Sequence, residues 1–209
     1  MNIGIIDYGV GNIGSIERAL EELDVTGTLL TDPSEITGVE RLILPGVGSY
    51  TECMMRLHGG GWVAALNKNV ANGNMPLLGV CVGMQLLSGS GVEGAADENG
   101  TPGLGFVPGT VRKLPAADHN LRLPHVGWNE VTHRDPGASL FADIPDGSDF
   151  YFVHSYAFET ESDDHIAAVA VYGTEFVAAV QNGNVWGTQF HPEKSSRAGF
   201  AVLKNFASL

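Results

Sequence analysis

The sequence of 209 residues has few positive charges, few charged residues of any kind and few cysteines. Lys and Arg number 11 against 24 Asp and Glu, which gives a formal net charge of −13, and no basic run occurs. Nucleic acids and anionic membranes are therefore not expected as partners, because both attract positively charged protein surfaces. Charged residues make up 17% and hydrophobic residues 44% of the chain, a balance that excludes a disordered protein and supplies a substantial core.

Other absences concern the cellular location of the protein. The sequence has two cysteines, Cys53 and Cys81, too few for a disulfide framework, so a reducing cytoplasm is expected. No basic segment followed by an apolar stretch opens the chain, which argues against a signal peptide. The most apolar segment, residues 75–87, is too short and too polar to span a bilayer. We therefore predict a cytoplasmic protein with a single domain over residues 1–209.

The pattern of apolar residues divides the chain into two halves of different character. The first half alternates strands and amphipathic helices: strands at 3–6, 25–30, 41–44 and 76–80, and helices at 13–23, 50–57 and 62–70. The second half has short strands at 106–114, 127–131, 150–153, 166–171, 176–181 and 185–190. This order predicts an α/β fold with an open, mostly parallel (doubly wound) central sheet, flanking helices and additional antiparallel strands in the second half.

Turn and cap residues separate these elements. Asp135-Pro136-Gly137 predicts a turn, and residues 181–184 predict a hairpin. Ser195 or Ser196 could cap a final helix. Residues 89–103 have the composition of a surface loop and are the segment most prone to disorder.

Cys81 lies between two glycines, in the segment G-V-C-V-G (79–83), where a buried strand runs directly into a helix. This is the thiol counterpart of the strand–turn–helix nucleophile elbow. The glycines permit the sharp turn, the helix N-terminus favours a thiolate, and the amide of Val82 would face an oxyanion. Gln85, one helical turn further on, could reach a substrate. Cys81 is thus a candidate nucleophile, whereas Cys53 has no such frame and is expected to fill the core.

A thiolate nucleophile needs a base, and His191 in the segment F-H-P-E is the candidate. In an extended chain residues i and i+2 project to the same side, so Glu193 can hold the imidazole in the useful tautomer. The alternative is a loop histidine beside an unrelated acid. A zinc site is not expected at this H-x-E pair, because the C-x-x-C that zinc deaminases require is missing.

The first turn of the chain, G-V-G-N-I-G (9–14), also fits the pattern of a dinucleotide-binding turn. Asp32 follows Gly9 by about 20 residues, where such folds place the ribose-binding carboxylate. Asp7 precedes the first glycine, however, and a carboxylate there would repel a pyrophosphate. In an open α/β sheet the ligand lies beyond the strand ends, where the Cys81 elbow is already expected. A dinucleotide oxidoreductase using Gly9, Gly11 and Asp32 therefore stays a remote alternative, and no cofactor or metal is expected.

The segments G-V-C-V-G-M-Q and F-H-P-E together resemble the class I glutamine amidotransferases, whose triad is Cys, His and Glu. Along essentially the whole chain, further segments resemble the glutaminase subunits (HisH type) of imidazole glycerol phosphate synthase. These segments are IDYGVGNIGS (6–15), LPGVGSY (44–50), GFVPGTVRKLP (105–115), LPHVGWNEV (123–131), YFVHSYAF (151–158) and GNVWGTQFHPEKSS (183–196). Val82 departs from the bulkier leucine that is frequent in this family, but only its backbone amide is needed.

The resemblance implies that Cys81, His191 and Glu193 hydrolyse the side-chain amide of glutamine through a thioester. Oxyanion donors would be backbone amides of Val82 and of the 45–48 loop, at Val47 and Gly48. The residues that would contact the glutamine are Gly48, Gln85, Ser155 and Tyr156. Neither a metal nor an organic cofactor takes part in this chemistry.

The resemblance also implies a partner, a (β/α)₈ cyclase barrel of the HisF type. The barrel would use the ammonia to make imidazole glycerol phosphate and aminoimidazole carboxamide ribotide in histidine biosynthesis. Asn12, Trp128, Tyr151 and Lys194 match positions at that interface, although Trp128 and Tyr151 could be core residues and Asn12 could cap the first helix. A glutaminase subunit of another amidotransferase, such as anthranilate synthase, would share the triad. A non-catalytic binding module would be indifferent to Cys81.

Overall fold

The computed structural model describes residues 1–72, 75–134 and 139–209, so the predicted turn at Asp135-Pro136-Gly137 lies outside the described residues. The strands are β1 (Asn2–Ile6), β2 (Thr26–Leu30), β3 (Arg41–Leu44), β4 (Leu77–Val80), β5 (Ser90–Gly91), β6 (Thr101–Pro102), β7 (Gly109–Lys113), β8 (His125–His133), β9 (Ser148–His154), β10 (Tyr156–Thr160), β11 (Ile166–Tyr172), β12 (Thr174–Asn182) and β13 (Val185–Thr188). The helices are α1 (Ile13–Glu22), α2 (Tyr50–Gly59), α3 (Trp62–Leu66), α4 (Val82–Gln85) and α5 (Ser196–Ser208). A π-helical turn at Asn67–Ala71 continues α3, and short 3₁₀ helices lie at Pro33–Gly38, Ala116–His119, Ser139–Phe141, Asp163–His165 and Pro192–Lys194.

The larger of two sheets has the strand order β2-β1-β3-β4-β13-β12-β11-β8-β9. The strands from β2 to β13 in this order pair parallel with one another. From the β13–β12 pair onward, all pairs are antiparallel. The smaller sheet has the order β10-β7-β5-β6. The predicted α/β class is confirmed, with a parallel region built mainly from the first half of the chain and antiparallel strands from the second.

Burial on both faces explains the sequence of the central strands. Every residue of β4 is buried, as expected for a parallel strand that helices cover on both sides. Helix α1 contributes Ile16, Ala19 and Leu20 to this core, at the spacing of one helical face. No helix in the described part of the chain has both the length and the apolar character needed to cross a membrane.

The end of β3 and the start of α4 pack backbone against backbone. A Cβ atom on Gly46 would lie 2.6 Å from the Gly83 amide nitrogen, and one on Gly83 would overlap the Leu44 carbonyl oxygen. Only glycine allows an approach this close without displacement of the main chain. The glycines at 46 and 83 therefore bring the 45–48 loop directly against the residues that follow Cys81.

The prediction for residues 89–103 is wrong in part, because this segment contains β5 and β6, which pair antiparallel. Strand β5 also pairs with β7, and a Cβ atom on Gly91 would lie 2.6 Å from the ring of Tyr50. A strand of two residues is too short to show an alternation of apolar and polar residues in the sequence, so these two strands could not be predicted. Strand β10 was not predicted either, whereas the hairpin between β12 and β13 is confirmed.

Helix α5 begins at Ser196, but the predicted serine cap is wrong. Ser195 occupies the N-cap position without a capping hydrogen bond from its side chain. Its hydroxyl instead donates to the His191 carbonyl oxygen at 2.6 Å and accepts from the Tyr151 amide at 2.9 Å. The Ser195 side chain, predicted to cap the helix, thus links the backbone of His191 to that of Tyr151.

Candidate active site

Cys81 lies at the turn between β4 and α4, where the backbone has an unusual conformation. Its φ of 56° and ψ of −114° fall in a region that residues other than glycine rarely adopt. The turn is held by the Cys81 amide, which donates to the Thr188 carbonyl oxygen at 2.8 Å, and by the Gln85 amide, which donates to the Cys81 carbonyl oxygen. A strained residue at a strand–helix junction is the geometry of a nucleophile elbow.

The His191 and Glu193 side chains contact each other below the surface. His191 Nδ1 donates to Glu193 Oε1 at 2.8 Å, and the side chains are 5% and 0% exposed. Asn12 Nδ2 donates to the same oxygen, also at 2.8 Å. Because a carboxylate only accepts, these bonds fix the proton on Nδ1 and leave Nε2 of the imidazole for another partner. The His191 amide donates to the Tyr151 carbonyl oxygen at 2.9 Å, which ties this segment to β9.

The electrostatics of this pair favour a protonated imidazole. Burial alone would lower the pKa of His191, but hydrogen bonds and charge interactions with Cys81 and Glu193 raise it to about 10. Burial would likewise raise the pKa of Glu193, but the hydrogen bonds from His191 and Asn12 hold it below its ordinary value. At neutral pH the His191 imidazolium therefore lies between the Cys81 sulfur and an ionised carboxylate.

A cavity of about 210 Å³ opens beside the Cys81 sulfur. Its volume is below the roughly 300–1,000 Å³ of pockets for drug-sized ligands and suits a molecule the size of an amino acid. The residues that line it are Val47, Gly48, Cys81, Val82, Gln85, Glu93, Val153, His154, Ser155, Tyr156, His191 and Lys194. The residues proposed from the sequence as oxyanion donors and as substrate contacts thus lie around one cavity, together with Cys81 and His191.

Gln85 lines this cavity with one acceptor free. Its Nε2 donates to the Tyr156 carbonyl oxygen at 3.0 Å and to Gln189 Oε1 at 2.8 Å. Its Oε1 is buried and has no hydrogen-bond partner in the described structure. A buried polar atom without a partner is costly, so this oxygen calls for a donor from a ligand.

Two residues of the cavity wall, Glu93 and His154, were missed by sequence reasoning. Glu93 is half-buried, which raises the pKa of its carboxyl group, and it accepts from the Tyr50 amide at 3.1 Å. Residues 89–103, which contain Glu93, have the composition of a surface loop, and no pattern in this segment indicates that Glu93 lies at the site. His154 lies in the V-H-S-Y segment, which the resemblance had already singled out, and that was a usable signal.

The buried His154 side chain belongs to a chain of hydrogen bonds. Its Nδ1 donates to the Tyr156 carbonyl oxygen at 2.9 Å, so its Nε2 accepts from His125 Nδ1 at 3.0 Å. Burial lowers the pKa of His154 to about 4 and also lowers that of His125. Both imidazoles are therefore neutral at physiological pH, in contrast to His191.

The residues assigned to a partner surface lie next to the triad but differ in exposure. Trp128 is 52% exposed, which excludes the core interpretation, and its ring packs edge-on against half-buried Tyr151 with centroids 6.0 Å apart. Trp128 and Tyr151 face each other across β8 and β9. Lys194 is exposed at the mouth of the cavity. Asn12 stands at the N-cap of α1, but its side chain makes no cap and turns inward to Glu193.

The two carboxylates near the glycine turn, Asp7 and Asp32, make hydrogen bonds within the protein. The Asp7 carboxylate accepts from the Gly9 amide at 2.9 Å, where a dinucleotide turn would offer its amides to a pyrophosphate. Asp32 accepts from the Ser34 amide at 2.9 Å and caps the 3₁₀ helix Pro33–Gly38 in a capping box with Glu35. These contacts give both carboxylates a structural use, and they favour the interpretation of a structural loop.

Comparison with known proteins identifies the class to which this fold and site belong. The sequence profile of glutamine amidotransferase class-I matches residues 4–208. The fold is similar to the structure of PurLQS from Thermotoga maritima (TM-score 0.77, 17% identity, 99% of this chain and 97% of that chain). A glutamine amidotransferase from the same organism gives a TM-score of 0.65 at 15% identity, over 100% of this chain and 83% of that one. The chain belongs to the class-I glutamine amidotransferase family.

Closer in sequence are several proteins called imidazole glycerol phosphate synthase subunit HisH. The one from Moorella thermoacetica is 46% identical over 99% of this chain and 94% of its own length. The one from Acinetobacter baylyi is 41% identical over 98% of this chain and 96% of its own. Subunit HisH 1 from Campylobacter jejuni is 42% identical over 99% of this chain and 100% of its own. The predicted resemblance is confirmed along the whole chain.

Proposed function

We propose that this chain hydrolyses the side-chain amide of glutamine and supplies the ammonia to the cyclase subunit of an imidazole glycerol phosphate synthase, in histidine biosynthesis. The observation that carries the proposal is that Cys81 and His191 line one cavity of amino-acid size while Glu193 accepts a hydrogen bond from His191. The similarity to HisH subunits over nearly their full length supports the particular synthase. A glutaminase subunit of another amidotransferase, such as anthranilate synthase, would share the triad and is the alternative.

The chemistry follows from the protonation state of the triad. The Cys81 sulfur attacks the amide carbon of glutamine, and the carbonyl oxygen takes the negative charge of a tetrahedral intermediate. The His191 imidazolium then gives its Nε2 proton to the departing nitrogen, which leaves as ammonia, and a thioester forms. Neutral His191 next takes a proton from water, whose oxygen attacks the thioester carbon. Glutamate leaves, and the Cys81 sulfur is released beside the reprotonated imidazole.

The oxyanion and the substrate have natural places around this cavity. Val82, Val47 and Gly48 line it together with Cys81, and we assign the oxyanion to their backbone amides. The Glu93 carboxylate and the free Gln85 Oε1 suit the α-ammonium group of glutamine, because both are acceptors in a partly desolvated wall. The hydrogen-bond donors of Ser155 and Tyr156 are left for the α-carboxylate.

We assign the partner surface to the exposed side chains of Trp128 and Lys194 and to the half-buried Tyr151, which packs against Trp128. Ammonia is mostly ammonium at neutral pH and is then not nucleophilic, so delivery inside a complex protects its reactivity. Asn12, which holds Glu193, begins α1 at the same edge and would connect this surface to the triad. We also propose that residues 1–209 act as one amidotransferase domain, and that the chain works in the cytoplasm, as its two free cysteines suggest.

The test is glutamine hydrolysis by the purified chain, alone and with a cyclase subunit of imidazole glycerol phosphate synthase. We expect Cys81→Ala to abolish hydrolysis while the complex still forms and still uses ammonium salts at alkaline pH. A glutamine-like diazo-ketone should label Cys81 and leave Cys53 unmodified. Full labelling of the Cys81→Ala variant, or a chain that neither binds the cyclase nor responds to it, would contradict the proposal.

A further inference from the structure

A buried side chain that the proposed chemistry does not use, Gln189, lies between the nucleophile and the wall of the cavity. Gln189 directly follows β13 and is fully buried. Its Oε1 accepts from Gln85 Nε2 at 2.8 Å, and its Nε2 donates to the Cys81 sulfur at 3.9 Å. One side chain thus contacts both the proposed nucleophile and a residue assigned to the substrate.

The direction of these hydrogen bonds is fixed by the Tyr156 carbonyl oxygen. A carbonyl oxygen only accepts, so the Gln85 atom that lies 3.0 Å from it is the amide nitrogen. The second hydrogen of this nitrogen points to Gln189, so the Gln189 atom at 2.8 Å is the oxygen. A reversed Gln85 amide would place its own oxygen against two other oxygen atoms in a buried setting, and both hydrogen bonds would be lost.

This arrangement determines what Gln85 can offer to a ligand. Both of its amide hydrogens are used within the protein, so only Oε1 is left, and this oxygen has no hydrogen-bond partner in the described structure. Glu93, which lines the same cavity, also presents oxygen atoms. Two acceptors in one wall suit a positively charged donor, such as the α-ammonium group of an amino acid.

We propose that Gln189 is a positioning residue that determines specificity: it accepts the second hydrogen of the Gln85 amide and so keeps Gln85 as an acceptor for the α-ammonium group of glutamine. This inference rests on the proposed glutaminase function. The competing explanation is that Gln189 only satisfies buried polar groups of the core. The two explanations differ in whether a change at Gln189 alters the recognition of a charge that Gln85 contacts.

The test compares the binding of two small molecules, glutamate and glutarate, to the complex with the cyclase subunit. Glutarate has a hydrogen atom in place of the α-ammonium group, so the ratio of the two affinities reports recognition of that group alone. In Gln189→Met, a flexible side chain without a strong acceptor replaces the amide. We expect the ratio measured by calorimetry to fall about tenfold, because glutamate binds more weakly while glutarate stays within about twofold.

Two further variants separate the acceptor from the rest of the side chain. Gln189→Glu keeps an oxygen at the position that Gln85 contacts, and its ratio should stay within about threefold of the wild type. Gln189→Asn keeps an amide but shortens the side chain, which withdraws the acceptor from Gln85. Its ratio should fall as in Gln189→Met, so the proposal can still be refuted if the methionine variant does not fold.

A double-mutant cycle with Gln85→Met shows whether Gln189 acts through Gln85. Gln85→Met removes the acceptor itself and should lower the ratio of glutamate to glutarate affinity. When Gln189→Met is added to this variant, the ratio should change less than about twofold, because no Gln85 amide is left to orient. An independent role of Gln189 in binding would instead make the two effects on the free energy additive.

The matched control is Asn205→Leu in α5. The Asn205 side chain is also a partly buried amide, and its Nδ2 donates to the carbonyl oxygens of Leu140 and Ala142 at 3.1 and 2.8 Å. This change should lower the melting temperature and leave the ratio of affinities unchanged. A wild-type ratio in Gln189→Met or in Gln189→Asn, or a ratio in Gln189→Glu as low as in Gln189→Met, would refute the role of Gln189. A wild-type complex that does not hydrolyse glutamine would refute the proposed function itself, so the two failures are distinguishable.

Discussion

The change Glu193→Gln separates the charge of the proposed triad from its geometry. Glu193 Oε1 accepts from both His191 Nδ1 and Asn12 Nδ2 at 2.8 Å, while Oε2 is buried without a partner among the described residues. An amide with its oxygen at the Oε1 position keeps both hydrogen bonds, and its NH₂ group takes the unpartnered site. The imidazole therefore keeps its orientation and loses only the negative charge behind it.

The size of the effect can be worked out from this contact. A hydrogen bond to a charged group contributes about 1.5–3 kcal/mol and a neutral one about 0.5–1.5, so the change removes on the order of 1.4 kcal/mol. That loss falls on the imidazolium that forms anew when neutral His191 takes a proton from water during hydrolysis of the thioester. Since about 1.4 kcal/mol corresponds to tenfold in rate, we expect kcat to fall about tenfold with little change in KM.

The assay is glutamine hydrolysis at saturating substrate, followed across pH, with Glu193→Ala as the comparison. The alanine variant loses the orientation as well as the charge, so its kcat should fall well below that of Glu193→Gln. The pKa of His191, followed by NMR titration of its ring, should fall in Glu193→Gln, because the carboxylate is one of the groups that raise it. A glutamine variant with the wild-type kcat and an unchanged His191 pKa would refute this reasoning.

Three further predictions concern other parts of the chain. The pKa of His154 is about 4 in the folded protein and about 6.5 in the unfolded chain. Between these two values the unfolded state binds more protons, so the free energy of unfolding decreases as the pH is lowered. By pH 4 this loss should reach about 3 kcal/mol in urea unfolding, and His154→Asn should flatten the pH dependence; an unchanged slope would contradict it. Trp128→Ala should weaken cyclase binding by at least about 2 kcal/mol, roughly thirtyfold by calorimetry, without lowering the melting temperature, and equal affinity would argue against this surface. Nicotinamide and flavin nucleotides should show no saturable binding; a stoichiometric complex lost in Gly11→Val would reverse the assignment of the glycine turn.

The parts of the structure that could be predicted from the sequence are those that a local pattern specifies. Strands β1, β3 and β4 are short apolar runs, with Pro45 directly after β3 and Pro76 directly before β4, and their bounds agree with the prediction to within one residue. The glycine frame of Cys81 indicated the strand–turn–helix junction for the same reason. Each of these features can be predicted from neighbouring residues alone, without knowledge of contacts between distant parts of the chain.

What could not be predicted depends on contacts between distant parts of the chain. Glu93 follows β5, a strand of two residues that pairs with β6 and with β7. A strand this short leaves no periodic pattern in the sequence, so the position of Glu93 at the cavity could not be predicted. The burial of Cys53 was expected, but its bond to the Val47 carbonyl depends on how the 45–48 loop turns. Asn12 has the sequence context of a helix cap, and its contact with Glu193 spans most of the chain.

The topology of the sheet explains why these distant residues meet. The strands β1, β3, β4 and β13 are consecutive neighbours and parallel, so their carboxyl ends lie along one edge. The segments that follow these four strands contain, in the same order, Asn12, the 45–48 loop, Cys81 and His191. One edge of one sheet therefore collects the proposed nucleophile, the proposed base and the loop assigned to the oxyanion, and the crevice at such an edge is where open α/β folds bind ligands. The strand order thus determines which segments meet at this edge, and a side chain without chemistry of its own, such as Asn12 bonded to Glu193, holds a site residue in place there.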